Sequence, residues 1–211
     1  MEHKTISLAD QVFENLENDI LSGKYQRGEL LTESMLSSSL GVSRTPIREA
    51  LRRLSQEHII EESGKGSVVV GITESDLKDI FYIRRKIESD ATALSAKNHT
   101  DEQLAVLKEA VEFQEFYLKK KDPDKIKLMD SRFHETIYRM SGSSVFCDVL
   151  IPLHKKIQKY RKASVTNKSR AAASVSEHRK ILEAIQARDA EMTKKLVDRH
   201  LENAYNHMFG E

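Results

Sequence analysis

The 211-residue chain has little of what marks several other protein classes. Cys147 is its only cysteine, so no intrachain disulfide can form, which suits a reducing compartment. Three prolines and eight glycines leave few natural breaks for helices, and with 39% hydrophobic and 32% charged residues the composition favours a globular, mainly helical protein. Charge of one sign is missing as well. A net charge of +1 provides no global basic field to draw the protein onto nucleic acid or membrane, so any such binding must come from a local patch. No apolar run approaches the ~18 residues of a membrane span. The N-terminus, "MEHKTISLADQVFENL", has no apolar segment of a secretory signal. The expected location is the cytoplasm, with no membrane partner. Internal repeats and low-complexity tracts are absent too.

What is there is unevenly spread. Residues 1–72 hold eight Lys/Arg against eleven Asp/Glu, yet four arginines fall between Arg44 and Leu54. On a helix at about 100° per residue, Ile47, Ala50, Leu51 and Leu54 share one arc. Arg44, Arg48 and Arg52 share the adjacent arc, with Thr45 at its edge, while Arg53 lies off it. Upstream, Leu8, Val12, Leu16 and Ile20 recur every four residues and predict a helix stopped at "SGK". Thr32 is placed to cap a second short helix carrying Leu36 and Leu40. Gly41 ends it, and Ser43 is placed to cap the arginine helix, with Pro46 in its first turn. "IIEESGKGSVVVGI" predicts two strands around a Gly turn. Three helices and a hairpin make a winged helix-turn-helix over 1–72.

Such a helix fits the roughly 12 Å major groove. Arginine reads guanine or holds phosphate, and the Ser43 and Thr45 hydroxyls beside a helix start suit phosphate oxygens. The candidate DNA-binding residues are therefore Ser43, Arg44, Thr45, Arg48 and Arg52, with Lys65 at the wing tip. The plainer alternatives are a solvated helix whose arginines pair with Glu49 or its neighbours, and a polar hairpin turn at Lys65.

Residues 73–211 read as an antiparallel all-helical bundle, with helices expected over 74–98, 101–121, 123–141, 144–166, 171–187 and 189–208. Four polar residues sit where their helices turn inward. Asp130 lies beside the stripe Ile126, Met129, Phe133, Ile137 and Met140, and His134 follows one turn later. His178 is central in the stripe Val175, Ile181, Leu182 and Ile185. His200 is central in the stripe Leu196, Val197 and Ala204. Each histidine alone reads more often as a hydrogen-bonded core residue than as a ligand. Together they form an Asp/His₃ set suited to zinc foremost, or to nickel, manganese or iron(II). His154 lies outside this set. Arg84 falls in the middle of the stripe Leu77, Ile80, Ile87, Ala91 and Leu94, with Glu88 also inward. Either the two form a buried ion pair, or Arg84 receives an effector carboxylate; both are compatible.

"GVSRTPIREALRRLSQEHII", with "SGKYQRGELLTES" upstream, resembles the DNA-reading segment of the GntR family of bacterial transcription factors, especially its FadR-type subgroup. The resemblance implies operator contacts at Arg44, Thr45 and Arg48 and at the wing glycine, Gly64. Some members carry an arginine on the second helix where Ser34 stands here, so their operator sequence does not transfer. "DSRFHETIYRMSG" and "SEHRKILEAIQARDAEMTKKLVDRHLENA" resemble the metal-binding segments of the subgroup's FCD effector domain. That implies Asp130, His134, His178 and His200 as the ligands. "IRRKIE" resembles the family's Arg-x-x-x-Glu element, which implies that Arg84 faces the effector.

The expected protein is a mainly α, ligand-responsive DNA-binding regulator and not an enzyme. It is expected to form a homodimer on a pseudo-palindromic double-stranded operator and to bind a small carboxylate beside the metal. One rival is a metalloenzyme fused to a DNA-binding domain, for which no separate general base is evident, since Glu135 next to His134 points elsewhere. A second rival is an architectural DNA-binding protein whose metal only stabilises the bundle.

Overall fold

The computed structural model describes residues 7–164 and 168–210, and the side chains of these outside 159–169. Two compact units emerge, one holding residues up to Glu74 together with 159–164 at the end of the seventh helix, and the other Ser75–Gln158 with the last two helices.

In the first unit, α1 (Leu8–Leu21) opens on a capping box. The Ser7 hydroxyl accepts from the Asp10 N–H at 3.1 Å, and the Asp10 carboxylate accepts from the Ser7 N–H at 3.3 Å. Val12, Phe13, Leu16 and Ile20 are buried, whereas Leu8, the expected first member of that stripe, is exposed. Next comes β1 (Leu30–Leu31), then α2 (Glu33–Leu40). Thr32 caps α2, accepting from the Met35 N–H at 3.2 Å, and Gly41 closes it in the left-handed conformation at φ 66°. Helix α3 (Arg44–Gln56) follows the tight turn. Ser43 stands at its N-cap position in extended backbone, but its side chain makes no cap hydrogen bond, so the expected cap is one of position only.

The hairpin β2 (Ile60–Ser63) and β3 (Gly66–Val69) gains a third strand, because β1 pairs with β3 in the order β1-β3-β2, all antiparallel. This pairing requires Gly66: a Cβ there would lie 2.6 Å from the Leu31 carbonyl oxygen, and φ is +149°. A two-residue strand carries no alternation to read, which is why the sequence signalled only the hairpin. One core fills the unit, drawing Leu16 from α1, Leu36 from α2, Ile47 and Leu54 from α3 and Ile60 and Val69 from the wing.

The second unit is helical among its described residues: α4 (Glu74–Asn98), α5 (Asp101–Lys120), α6 (Pro123–Met140), α7 (Ser144–Ser164), α8 (Lys168–Gln186) and α9 (Ala190–Phe209). The expected end of α7 at residue 166 falls outside the described residues, and α8 begins ahead of the expected residue 171. Thr100, Asp122 and Asp189 cap α5, α6 and α9 through their side chains, and Pro123 takes the first position of α6, where its missing N–H has no partner to lose. Helix α5 packs on α6 and α8, and α8 on α9. Phe133, Tyr138, Leu107, Val111, Ile181, Leu182 and Leu201 fill the core between them. Among the described residues, no helix is long and apolar enough to cross a membrane.

Candidate DNA-reading helix and candidate metal centre

Helix α3 divides as its sequence pattern predicts. Ile47, Ala50, Leu51 and Leu54 are buried, and Arg44, Thr45, Arg48 and Arg52 are exposed. The arginines on the helix then differ by partner. Arg53 is structural: it donates to Asp10 at 2.6 Å and lies 4.0 Å from the centre of the Phe13 ring, tying α3 to α1. Arg48 reaches out to α2, where Nε and Nη2 each donate to the Glu33 carboxylate at 2.8 Å. That pair is exposed, so water and a phosphate can compete for it. Glu33 was not singled out by sequence because the pairing crosses the turn. Ser43 is exposed, as are Gly64 and Lys65 at the wing tip, and Ser34 lies exposed on α2.

In the second unit, the inward histidines meet. One ring nitrogen of each of His134, His178 and His200 lies within 4.8 Å of the others, and all three residues are buried. Their other ring nitrogens are held from outside. Gln114 donates through its amide nitrogen to the Met129 carbonyl at 3.1 Å, so its amide oxygen faces Nδ1 of His178 at 2.8 Å and accepts that N–H. Glu177 accepts from Nδ1 of His200 at 2.6 Å and is itself clamped by two 2.8 Å bonds from Arg170 and one of 2.9 Å from Asn203. Glu88 lies 3.3 Å from Nδ1 of His134 and accepts from the Tyr138 hydroxyl at 2.8 Å. A histidine whose Nδ1–H is committed in this way presents a lone pair on Nε2, the form that binds a metal. Three such residues aimed at one point fit a metal ion better than a set of core histidines satisfied among themselves.

Asp130 enters from α6, with one oxygen 3.9 Å from Nε2 of His178. Its other oxygen accepts from the Gln158 amide and lies 3.6 Å from Nε2 of His154. The structure thus places His154, which sequence reading left outside, against the site. Its signal was available: His154 stands between buried Leu150 and buried Ile157 on α7, the same mid-stripe position that singled out His178 and His200. Gln114 was missed for a different reason, since an amide on an apolar stripe does not by itself suggest an acceptor for a ligand.

The electrostatics agree with a prepared site. Burial would raise the Glu177 carboxyl, but the hydrogen bonds from His200 and Arg170 outweigh it and hold its pKa at about 2. Burial would likewise raise Glu88, but the Arg84 guanidinium, followed by His134, pulls it well below the carboxylate range. For His200, burial is the largest influence and lowers the imidazole pKa, favouring the neutral ring. Arg84 is buried and bound to Glu88 through Nε at 2.7 Å and Nη2 at 3.0 Å. The ion-pair reading of Arg84 therefore describes the structure. A cleft of about 290 Å³, lined by Lys180, Arg199, His200, Glu177, Asn203 and Leu196, opens beside His200. Glu135 turns away to Lys155, at 3.6 Å.

A winged helix-turn-helix with exposed arginines and an all-helical second unit define a DNA-binding transcriptional regulator. Residues 8–70 match the bacterial regulatory proteins of the gntR family, and residues 79–203 match the FCD domain. The chain belongs to the GntR-family regulators that carry an FCD domain. It is 28% identical over 200 residues to the uncharacterized HTH-type transcriptional regulator YdhC of Bacillus subtilis (strain 168), covering 94% of this chain and 89% of that one. The gluconate operon transcriptional repressor of Bacillus licheniformis is 36% identical over 125 residues, 59% of this chain and 51% of that one. Among solved structures, E. coli McbR/YncC shares the fold with a TM-score of 0.78 at 24% identity, covering 98% of this chain and 99% of that one. These relatives are regulators, not enzymes.

Proposed function

We propose that residues 1–72 read an operator and that residues 73–211 sense a small carboxylate through a metal ion. Asp130, His134, His178 and His200 would hold the ion, a divalent transition metal such as zinc, nickel, manganese or iron(II). The observation that carries this reading is the outward commitment of three Nδ1 atoms to Glu88, Gln114 and Glu177, which leaves three Nε2 atoms turned to a common centre. When bound, the metal supplies a Lewis-acidic anchor for a carboxylate. Lys180 and Arg199 beside the cleft favour an anionic visitor. Arg84 would meet the effector with the guanidinium nitrogen that Glu88 does not use. One relative is named for a gluconate operon, and gluconate is itself a small hydroxycarboxylate.

The protein would act in the cytoplasm as a homodimer, each subunit placing α3 on one half-site of a pseudo-palindrome, with Arg44, Thr45, Arg48 and Arg52 at the groove, Ser43 on phosphate, and Gly64 and Lys65 of the wing alongside. Effector binding would shift the equilibrium between operator-competent and incompetent arrangements by its difference in affinity for the two. To test this, metal-loaded full-length protein is titrated on operator DNA in the presence of a panel of small mono- and hydroxycarboxylates. At least one acid should change operator affinity in the wild type and not in Arg84→Met. An unchanged affinity with every acid, in a protein that binds metal and operator normally, contradicts the sensing role and leaves the architectural alternative.

A further inference from the structure

Helix α7 supplies nothing to the proposed ligand set, yet it brings His154 against two members of that set, Asp130 and His134. The ring of His154 lies 4.3 Å from that of His134, centre to centre. Its Nε2 is 3.6 Å from Asp130 Oδ2, and the ligating atoms of Asp130, His134 and His154 all fall within 4.8 Å of one another. The side chain is buried, at 4% exposure.

We propose that His154 is a fifth protein donor to the ion held by Asp130, His134, His178 and His200. The inference rests on the metal reading above and extends it. Its warrant is the spacing. A contact of 3.6 Å between Nε2 and a carboxylate oxygen is too long for a hydrogen bond. Two ligands on one ion with bonds of ~2.1 Å lie roughly 3 Å apart at a right angle, about 3.4 Å at the tetrahedral angle and ~4.2 Å when opposed. The 3.6 Å from Asp130 Oδ2 to His154 and the 3.9 Å from Asp130 Oδ1 to His178 both fall in that span, one carboxylate oxygen facing each histidine. Gln158, one turn along α7 from His154, donates to Asp130 Oδ2, so α7 holds the carboxylate as well as facing it.

A fifth donor changes what the site can take. Four imidazoles and a carboxylate exceed the four-coordinate preference of structural zinc and favour an ion at ease with six ligands, such as nickel, manganese or iron(II). With Asp130 bound through one oxygen, one position of an octahedron then remains. The effector class this selects is an acid bound to the metal through a single oxygen, rather than one that chelates it through two.

The test is X-ray absorption on full-length protein loaded with Ni²⁺, which counts imidazoles by their characteristic scattering, paired with a Ni²⁺ affinity measurement. The wild type should show four imidazoles, from His134, His154, His178 and His200. His154→Gln should show three and bind Ni²⁺ about 10- to 100-fold more weakly, with an unchanged helical circular dichroism spectrum. Three imidazoles in the wild type, or an unchanged count in His154→Gln, overturns the proposal while leaving the four-ligand centre intact. No Ni²⁺ bound to the folded wild type overturns the metal reading itself. Should His154→Gln fail to fold, the wild-type count decides alone.

Discussion

The two units each contain a bidentate Arg–Glu pair of nearly the same geometry, and the two pairs do opposite things. Arg48 binds Glu33 at 2.8 Å through both contacts on an open surface. Arg84 binds Glu88 at 2.7 and 3.0 Å with both side chains buried. On the surface, water competes for every bond, so the pair contributes little and its partners exchange easily. In the interior, water does not compete for either charge, so the pair is fixed and transmits position to what it touches, here Tyr138 and His134. In the proposed reading, recognition of DNA draws on the first kind of electrostatics and preparation of a metal centre on the second.

The contrast breaks most visibly if one partner of each pair is removed. Glu88→Ala strands the buried Arg84 guanidinium and should cost about 3–5 kcal/mol of stability in chemical denaturation, whereas Glu33→Ala should leave the midpoint where it is. Equal effects would mean the two environments are not as different as their burial indicates.

On DNA the ranking reverses. Arg48→Ala should weaken operator binding roughly 10- to 100-fold, with a loss of sequence preference. Arg53→Ala should lower the melting temperature, because Asp10 and Phe13 lose their partner, and should leave sequence preference unchanged. Loss of specificity in Arg53→Ala as well would show a diffuse contact instead of an arginine arc. A smaller effect is expected of Glu33→Gln, which frees Arg48: operator affinity should rise slightly or stay level, and a fall would mean that Glu33 orients Arg48 for reading.

The smallest effect concerns acid. Glu115 is held below its ordinary value of 4.5, chiefly by its hydrogen bond from Arg179. A depressed carboxylate contributes its stability above the unfolded value and loses it as the pH falls below. Melting temperature should therefore lose a small increment below pH 4.5, and Glu115→Gln should lack that increment. An increment of the same size in the variant would assign it to other carboxylates.

How much of this was legible in the sequence also divides by region. The arginine helix was readable because period and exposure carry the whole signal: the apolar arc packs, and the charged arc is what remains. The inward positions of His134, His178 and His200 were readable for the same reason. What surrounds them was not, because Gln114 and Glu177 come from other turns and other helices, and their value lies in one hydrogen bond each, which no periodicity encodes. The third wing strand was hidden by its two-residue length. His154 was different: its mid-stripe place between Leu150 and Ile157 was visible, and only its meeting with Asp130 required the packing of α7 on the centre.

The most direct test of the central claim is the metal content and melting temperature of the purified wild type beside His178→Ala, before and after a chelator. The account predicts metal in the wild type at one ion per chain, a melting temperature that falls on chelation and returns on metal add-back, and little metal with no such response in His178→Ala. Ligation needs neutral imidazoles, and burial lowers the His200 pKa below its ordinary value of 6.5, so wild-type affinity should also weaken as the pH falls below that value. A folded wild type that carries no metal, takes none up and melts at the same temperature with or without chelator would contradict it.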